Sequence, residues 1–148
     1  MATTIIPTDL KVTIIESYTV NGVEYGNSTS KTFSENGEVL KRVMNIDTTI
    51  TEVINFGTRD EAGQAVTDDY SYFRISNLDD TNFIRLEVNT LTRTYNIKLN
   101  AGDSYLLMSN EMDADTTRFT FTSLTDINII RAISDTATCD IEVITVTK

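Results

Sequence analysis

The chain has 148 residues, among them 25 Thr, one Cys, one Pro, no His and no Trp, and a formal net charge of −10. That is the length of one ordinary domain, able to bury a core without a disulfide or a metal. The missing His removes Ser-His-Asp and Cys-His catalysis and the usual zinc sites, and acidic residues spread along the whole chain oppose a direct nucleic-acid partner.

The N-terminal residues 1–10 read as an extended arm, with apolar Ile5-Ile6 ahead of the lone Pro7, able to order only against a partner. They show no cationic segment followed by an apolar run, so no signal peptide is read there. No apolar stretch approaches a membrane helix, and no membrane partner is expected. Residues 11–148 read as a single β domain.

Its first strand is Lys11–Val20, with Val12, Ile14, Tyr18 and Val20 at period two against Thr13, Ser17 and Thr19. Asn21-Gly22 then predicts a type I′ hairpin into Val23-Glu24-Tyr25, because both residues accept a positive φ. Asn36-Gly37, between Lys31-Thr32-Phe33 and Val39-Leu40, predicts a second such hairpin. Ile50–Phe56 is a strand whose parity slips at Ile54, the mark of a bulge. Residues 57–69 form the longest polar segment and read as an exposed loop, with room for one helical turn at Asp60-Glu61-Ala62-Gly63.

The second half is more regular. Tyr70–Asn77 is a strand, and period two sends Tyr70 and Tyr72 to one face and Phe73 to the other. A turn at Leu78-Asp79-Asp80 leads into Phe83–Asn89, followed by Thr94–Leu99 and a turn at Asn100-Ala101-Gly102-Asp103. Ser104–Ser109 and Arg118–Leu124 are further strands. Ile127–Ile133 is apolar on both faces, as a central strand requires. Asp135-Thr136-Ala137 turns into the last strand, Cys139–Thr147. Its end, Val143-Ile144-Thr145-Val146, carries too much apolar side chain for a free edge, so it is either central in its sheet or covered by a neighbouring subunit. About nine to ten short strands at near-hairpin spacing predict an all-β fold, an antiparallel β-sandwich or jelly-roll-like barrel. Its expected core is Ile84, Leu86, Val88, Ile97, Leu99, Phe119, Phe121, Ile129 and Ile141.

Little chemistry remains. Cys139 reads as a small buried apolar residue. No Gly-rich phosphate loop is present, and no cofactor is called for. The one candidate cation site is Glu111, Asp113 and Asp115, with Asn110 beside them, a set of hard oxygens suited to Ca²⁺. It lacks the Gly and distal Glu of an EF-hand loop, and a solvated acidic loop is the simpler reading. The absence of Trp argues against a sugar-binding cleft and against carboxylate-pair glycoside hydrolysis. The candidate interface residues are Ile5, Ile6, Tyr70, Tyr72, Ile144 and Val146.

The order of segments in the second half carries a resemblance. Residues 72–79 (YFRISNLD) are followed by 83–86 (FIRL), 97–107 (IKLNAGDSYLL) and 130–137 (IRAISDTA). This order resembles small β-sandwich virion proteins of tailed bacteriophages, of the head-decoration or tail-accessory kind. The resemblance covers about half the chain. It implies a non-enzymatic structural part, made in the host cytoplasm and located in the virion. It also implies a homo-oligomer docked on other virion proteins of capsid or tail. Capsid decoration is the leading expectation. A tail or fibre component is the alternative, and a carbohydrate- or ligand-binding sandwich module is a second from another class. The resemblance assigns no functional residue.

Overall fold

The computed structural model describes residues 8–56, 70–90, 92–112 and 124–147. Among them every regular element is a strand: β1 (Thr8–Val20), β2 (Val23–Asn36), β3 (Glu38–Ile46), β4 (Thr51–Asn55), β5 (Tyr70–Asn77), β6 (Ile84–Asn89), β7 (Thr94–Leu99), β8 (Ser104–Leu107), β9 (Glu111–Met112), β10 (Thr125–Asp126), β11 (Ile129–Ser134) and β12 (Cys139–Thr147). The chain is all-β, as its period-two patterning requires. The count is twelve rather than nine or ten, the surplus being β9 and β10, two residues each.

The chain divides into two compact units, Met1–Gly37 and Glu38–Lys148, so the boundary falls at Gly37 and not at residue 10. The first unit is a ribbon. β1 and β2 pair antiparallel from Val20↔Val23 back to Thr8↔Asn36. Asn21 and Gly22 turn the chain with φ of 51° and 78°, the left-handed pair that a type I′ turn needs. At Gly26 the neighbouring strand comes so close that a Cβ would lie 2.9 Å from the Glu16 carbonyl oxygen. The second hairpin, expected at Asn36-Gly37, does not form. β2 remains on the β1 ladder through Asn36, Gly37 alone separates it from β3, and β3 pairs with β12 instead. The local turn signal lost to a longer ladder already in place.

The second unit is the body. Its two four-stranded antiparallel sheets have the orders β3-β12-β5-β8 and β4-β11-β6-β7. Numbering only these eight strands along the chain, the orders read first-eighth-third-sixth and second-seventh-fourth-fifth. That is the connectivity of a jelly roll, two Greek keys wrapped into a double sheet. β12 is central, between β3 and β5, which explains its two apolar faces from within the chain. β11 is likewise central.

The core lies between the sheets. Phe73, Ile75, Ile141, Val143 and Ile46 face it from one side, and Ile84, Leu86, Val88, Ile130 and Val53 from the other. Of the expected core residues, Ile84, Leu86, Val88, Leu99 and Ile141 are buried in it. Ile97 is only partly buried, on edge strand β7. Ile129 is also half-buried, because Ile130 is the residue that pairs with inward Val88. Phe119 and Phe121, the expected strand Arg118–Leu124 apart from its last residue, and the loop at 57–69 lie outside the described residues.

Two bulges set the inward faces. The β4–β11 register shifts between Ile130 and Arg131, opposite Ile54 and Glu52, so Val53 is the extra residue and both Val53 and Ile54 are buried. This is the slip visible in the sequence. The second bulge was not visible there. The β5–β12 register shifts between Val146 and Thr147, opposite Tyr72 and Tyr70. Strict alternation would put Tyr70 on the face of Tyr72. The shift brings it to the face of Phe73 instead, with ring centroids 6.3 Å apart.

Candidate assembly site

Among the described residues the body is closed along both sides and at one end. At one side, inward-pointing Arg42 of edge strand β3 donates to the Val53 carbonyl at the bulge of edge strand β4. Burial lowers the Arg42 pKa. An inward charge on one edge and a bulge on the other both discourage pairing with another chain. At the opposite side, edge strands β7 and β8 are joined by a hydrogen bond of 2.7 Å between the Tyr95 and Tyr105 hydroxyls. At one end, buried Asn77 donates to the Asn82 carbonyl at 2.9 Å and accepts from the Asp79 N–H at 3.1 Å. Asp79 in turn accepts from the N–H groups of Thr81 and Asn82 at 2.8 and 2.6 Å. The turn expected at Leu78-Asp79-Asp80 is therefore held by Asp79 itself.

The sequence-derived site residues are placed as follows. Tyr70 is 3% exposed and Tyr72 6% exposed. Tyr70 stacks on Phe56 at 4.5 Å and donates its hydroxyl to the Ser109 carbonyl at 2.8 Å. Burial pushes its phenol pKa well above the usual value. Val146 is fully buried on the face of Tyr72, its direct partner. As candidate contact residues, Tyr70, Tyr72 and Val146 are thus spent on packing within this chain. Ile144 stays half-buried on the outer face, between its ladder partners Lys41 and Arg74. Both cations reach Glu142, Lys41 at 2.9 Å and Arg74 in a closer pair. The hydrogen bond from Lys41 is the main reason the Glu142 carboxyl sits below its ordinary pKa. Exposed Val39 and Val43 flank this ion group. Ile5 and Ile6 lie outside the described residues.

Glu111 is exposed and pairs through β9 with Asp126 of β10. Asp113 and Asp115 lie outside the described residues. Among the described residues no three acidic, Cys or His side chains converge as a metal site would require. Cys139 is fully buried, with its sulfur 3.0 Å from the Ser134 hydroxyl oxygen. Burial pushes the thiol pKa up, so it is not a nucleophile in waiting.

The ribbon is built the other way. Its cross-strand pairs sort onto two faces by alternation. One face carries Lys11/Thr32, Thr13/Ser30, Ile15/Ser28, Ser17/Gly26 and Thr19/Glu24. It is polar apart from Ile15, and Thr13 and Ser30 join hydroxyls at 2.9 Å. The other face carries, from base to turn, Leu10/Phe33, Val12/Lys31, Ile14/Thr29, Glu16/Asn27, Tyr18/Tyr25 and Val20/Val23. Tyr18 and Tyr25 stack at 5.5 Å, yet they are 59% and 50% exposed. Ile14, Val20 and Val23 are also exposed. This apolar face is the most informative surface of the molecule. Half of it was legible as Val12, Ile14, Tyr18 and Val20. Counting back from the Asn21-Gly22 turn would have supplied Tyr25, Thr29, Lys31 and Phe33.

Comparison with family models, with curated proteins and with solved structures gives no match.

Proposed function

We propose that the protein is a non-enzymatic structural component of a viral particle of the tailed-phage kind, acting by assembly as a capsid-decoration or auxiliary head protein. The jelly roll supports a capsid role without choosing it, since lectin and cupin domains use the same connectivity. The observation that carries the reading is the ribbon's apolar face, exposed along β1 and β2 on a unit whose described residues form two strands and contribute none of the core cluster. A two-stranded hairpin is marginally stable alone in water. One that displays two stacked tyrosines and three aliphatic side chains is suited to packing on something larger.

The same inventory weighs against a sugar-binding module. Among the described residues of the body, the exposed large apolar side chains are Val39, Val43, Ile50, Leu78, Leu106 and Leu124, all aliphatic. A sugar platform calls for aromatic rings. A tail or fibre position is the second reading, favoured by the reach of the ribbon. Its strands of 13 and 14 residues extend roughly 40 Å at about 3.4 Å per residue.

The test is protein mass spectrometry of purified particles from producing cells, with cryo-electron microscopy to locate the density. The expected result is a stoichiometric component on the head surface. Density on the tail selects the second reading, and absence from the particle overturns both.

A further inference from the structure

We infer that the apolar face of the ribbon docks on the same face of a second copy of this chain, with the two ribbons parallel and turn beside turn. The inference deepens the assembly reading above and rests on it.

The pattern of the face argues for a copy over an unrelated partner. Five of its six cross-strand pairs carry an apolar residue, and one, Glu16/Asn27, is wholly polar and sits in the middle. An unrelated apolar groove would bury that carboxylate and amide unpaired, which is costly. A two-fold axis along the ribbon lays β1 of one copy over β2 of the other at the same level. Glu16 then lies over Asn27 of the second copy and Asn27 over its Glu16. Each carboxylate gains an amide donor, so the polar pair satisfies itself twice. Three other levels meet like with like, Leu10 over Phe33, Tyr18 over Tyr25 and Val20 over Val23, while Ile14 meets Thr29 and Val12 meets the stem of Lys31. Lys31 already lies over the Phe33 ring, 4.6 Å from its centroid, near the base, where its long stem can carry the charge to water.

The antiparallel alternative fails on the same residue. Reversing one ribbon lays β1 over β1 and places Glu16 over Ile14 of the copy, a carboxylate on a methyl surface with no donor opposite. The area is adequate for the parallel pair. Two tyrosines at about half of their ~200 Å² each, with the aliphatic and polar side chains of the same face, offer on the order of 700 Å² per copy, close to the ~800 Å² per partner of a stable complex. The opposite face, Thr- and Ser-rich, stays in water.

The experiment is sedimentation velocity of the full chain over a concentration series, beside two variants. Tyr25→Lys puts a second cation on the docking face in place of one ring of the tyrosine stack and should raise the dimer dissociation constant at least tenfold. Ile15→Lys changes the most exposed apolar residue of the ribbon, 76% exposed on the polar face, and should leave the dimer intact. A spin label at Thr19→Cys, with native Cys139 buried, reports the direction. Turn beside turn gives a label distance of about 20–30 Å, whereas opposed turns add about 27 Å along the ribbon and lengthen it to roughly 35–40 Å. A monomeric wild type, equal weakening by both lysines, or the long label distance overturns the inference. Particle occupancy keeps the two readings apart. A monomer in solution that still occupies the particle sinks the ribbon pair alone, and a dimer that never enters the particle sinks the assembly role alone.

Discussion

The ribbon and the body are written in the same residues, Thr, Ser and β-branched apolars at period two, yet they use them in opposite ways. In the body each sheet turns its apolar face to the other sheet, so Phe73, Ile75, Leu86 and Val143 are all fully buried. Among the described residues of the ribbon there is no second layer, and Ile14, Tyr18, Val20, Val23 and Tyr25 of the face that alternation makes apolar stay exposed. The body also seals its edges, with Arg42 reaching the Val53 carbonyl and Tyr95 bonded to Tyr105. Alternation therefore creates an apolar face but does not say what covers it. A long-range pairing of sheets decides that, and here it decided differently for the two units.

The comparison breaks most directly at Phe73. Among the described residues it is the largest fully buried side chain, and its ring sits edge-on to both Phe56 and Tyr70. Phe73→Ala should cost the body about 3–5 kcal/mol, read as a lowered denaturant midpoint with an unchanged slope. A loss under 1 kcal/mol would mean that the double sheet is not the source of the body's stability.

Asn77→Leu comes next. The Asn82 carbonyl loses its donor and the Asp79 N–H its acceptor, in a site where Asn77 is 1% exposed. The expected cost is about 2–3 kcal/mol, again in the body transition. Asn77→Asp should recover less than half of it, because the acceptor returns but the donor to Asn82 does not.

These two sites also show what was legible in the sequence. Period two and the turn residues gave the described strands other than β9 and β10, the Asn21-Gly22 turn and five of the seven expected core positions that fall within the described residues. Asn77 was readable only as the end of a strand. Its role depends on loops that the jelly-roll connectivity brings together, and nothing local announces that. Tyr70 was placed on the wrong face because a one-residue bulge near the end of a strand leaves no trace in its own pattern. The Val53 bulge did leave one, since two adjacent apolar residues interrupt the alternation. Asn36-Gly37 carried a true local preference that the ribbon's ladder overrode. Tyr70 and Tyr72 were readable as core first and contact second, and Val146 as central in its sheet or covered by a neighbour, because tyrosine and a doubly apolar strand suit either place; the structure buries all three.

Acid should act on the body through two carboxyls, with a smaller effect. Asp79 and Glu142 both have pKa values lowered in the fold, Asp79 by the N–H groups of Asn82 and Thr81, Glu142 chiefly by Lys41. A depressed carboxyl stabilises the fold fully above its unfolded pKa, about 3.9 for Asp and 4.3 for Glu. That contribution is lost as pH falls through the folded value. The body's melting temperature should therefore hold above about pH 5 and fall progressively below about pH 4. The Asp79→Asn, Glu142→Gln double variant should show a shallower fall over the same range. Parallel curves for variant and wild type would remove these two groups from the account of acid sensitivity.

The smallest expected effect sharpens the comparison most. Tyr18→Ser removes one ring of the Tyr18–Tyr25 stack, a pair worth about 0.5–1.5 kcal/mol where it forms. All of that loss should fall on the ribbon, since its residues belong to the unit Met1–Gly37 and the core cluster draws on none of them. The body's denaturant midpoint should stay within about 0.5 kcal/mol of wild type, the range of ordinary surface changes. Hydrogen exchange should show where the change went. Amides of β12, central and buried, should keep the protection of global unfolding in both proteins. Those of β1 and β2 should exchange sooner in wild type and sooner still in the variant. A variant that lowers β12 protection as much as Phe73→Ala would show that the two units unfold as one, and the ribbon's tyrosines would then belong to the body's stability rather than to a surface waiting for a partner.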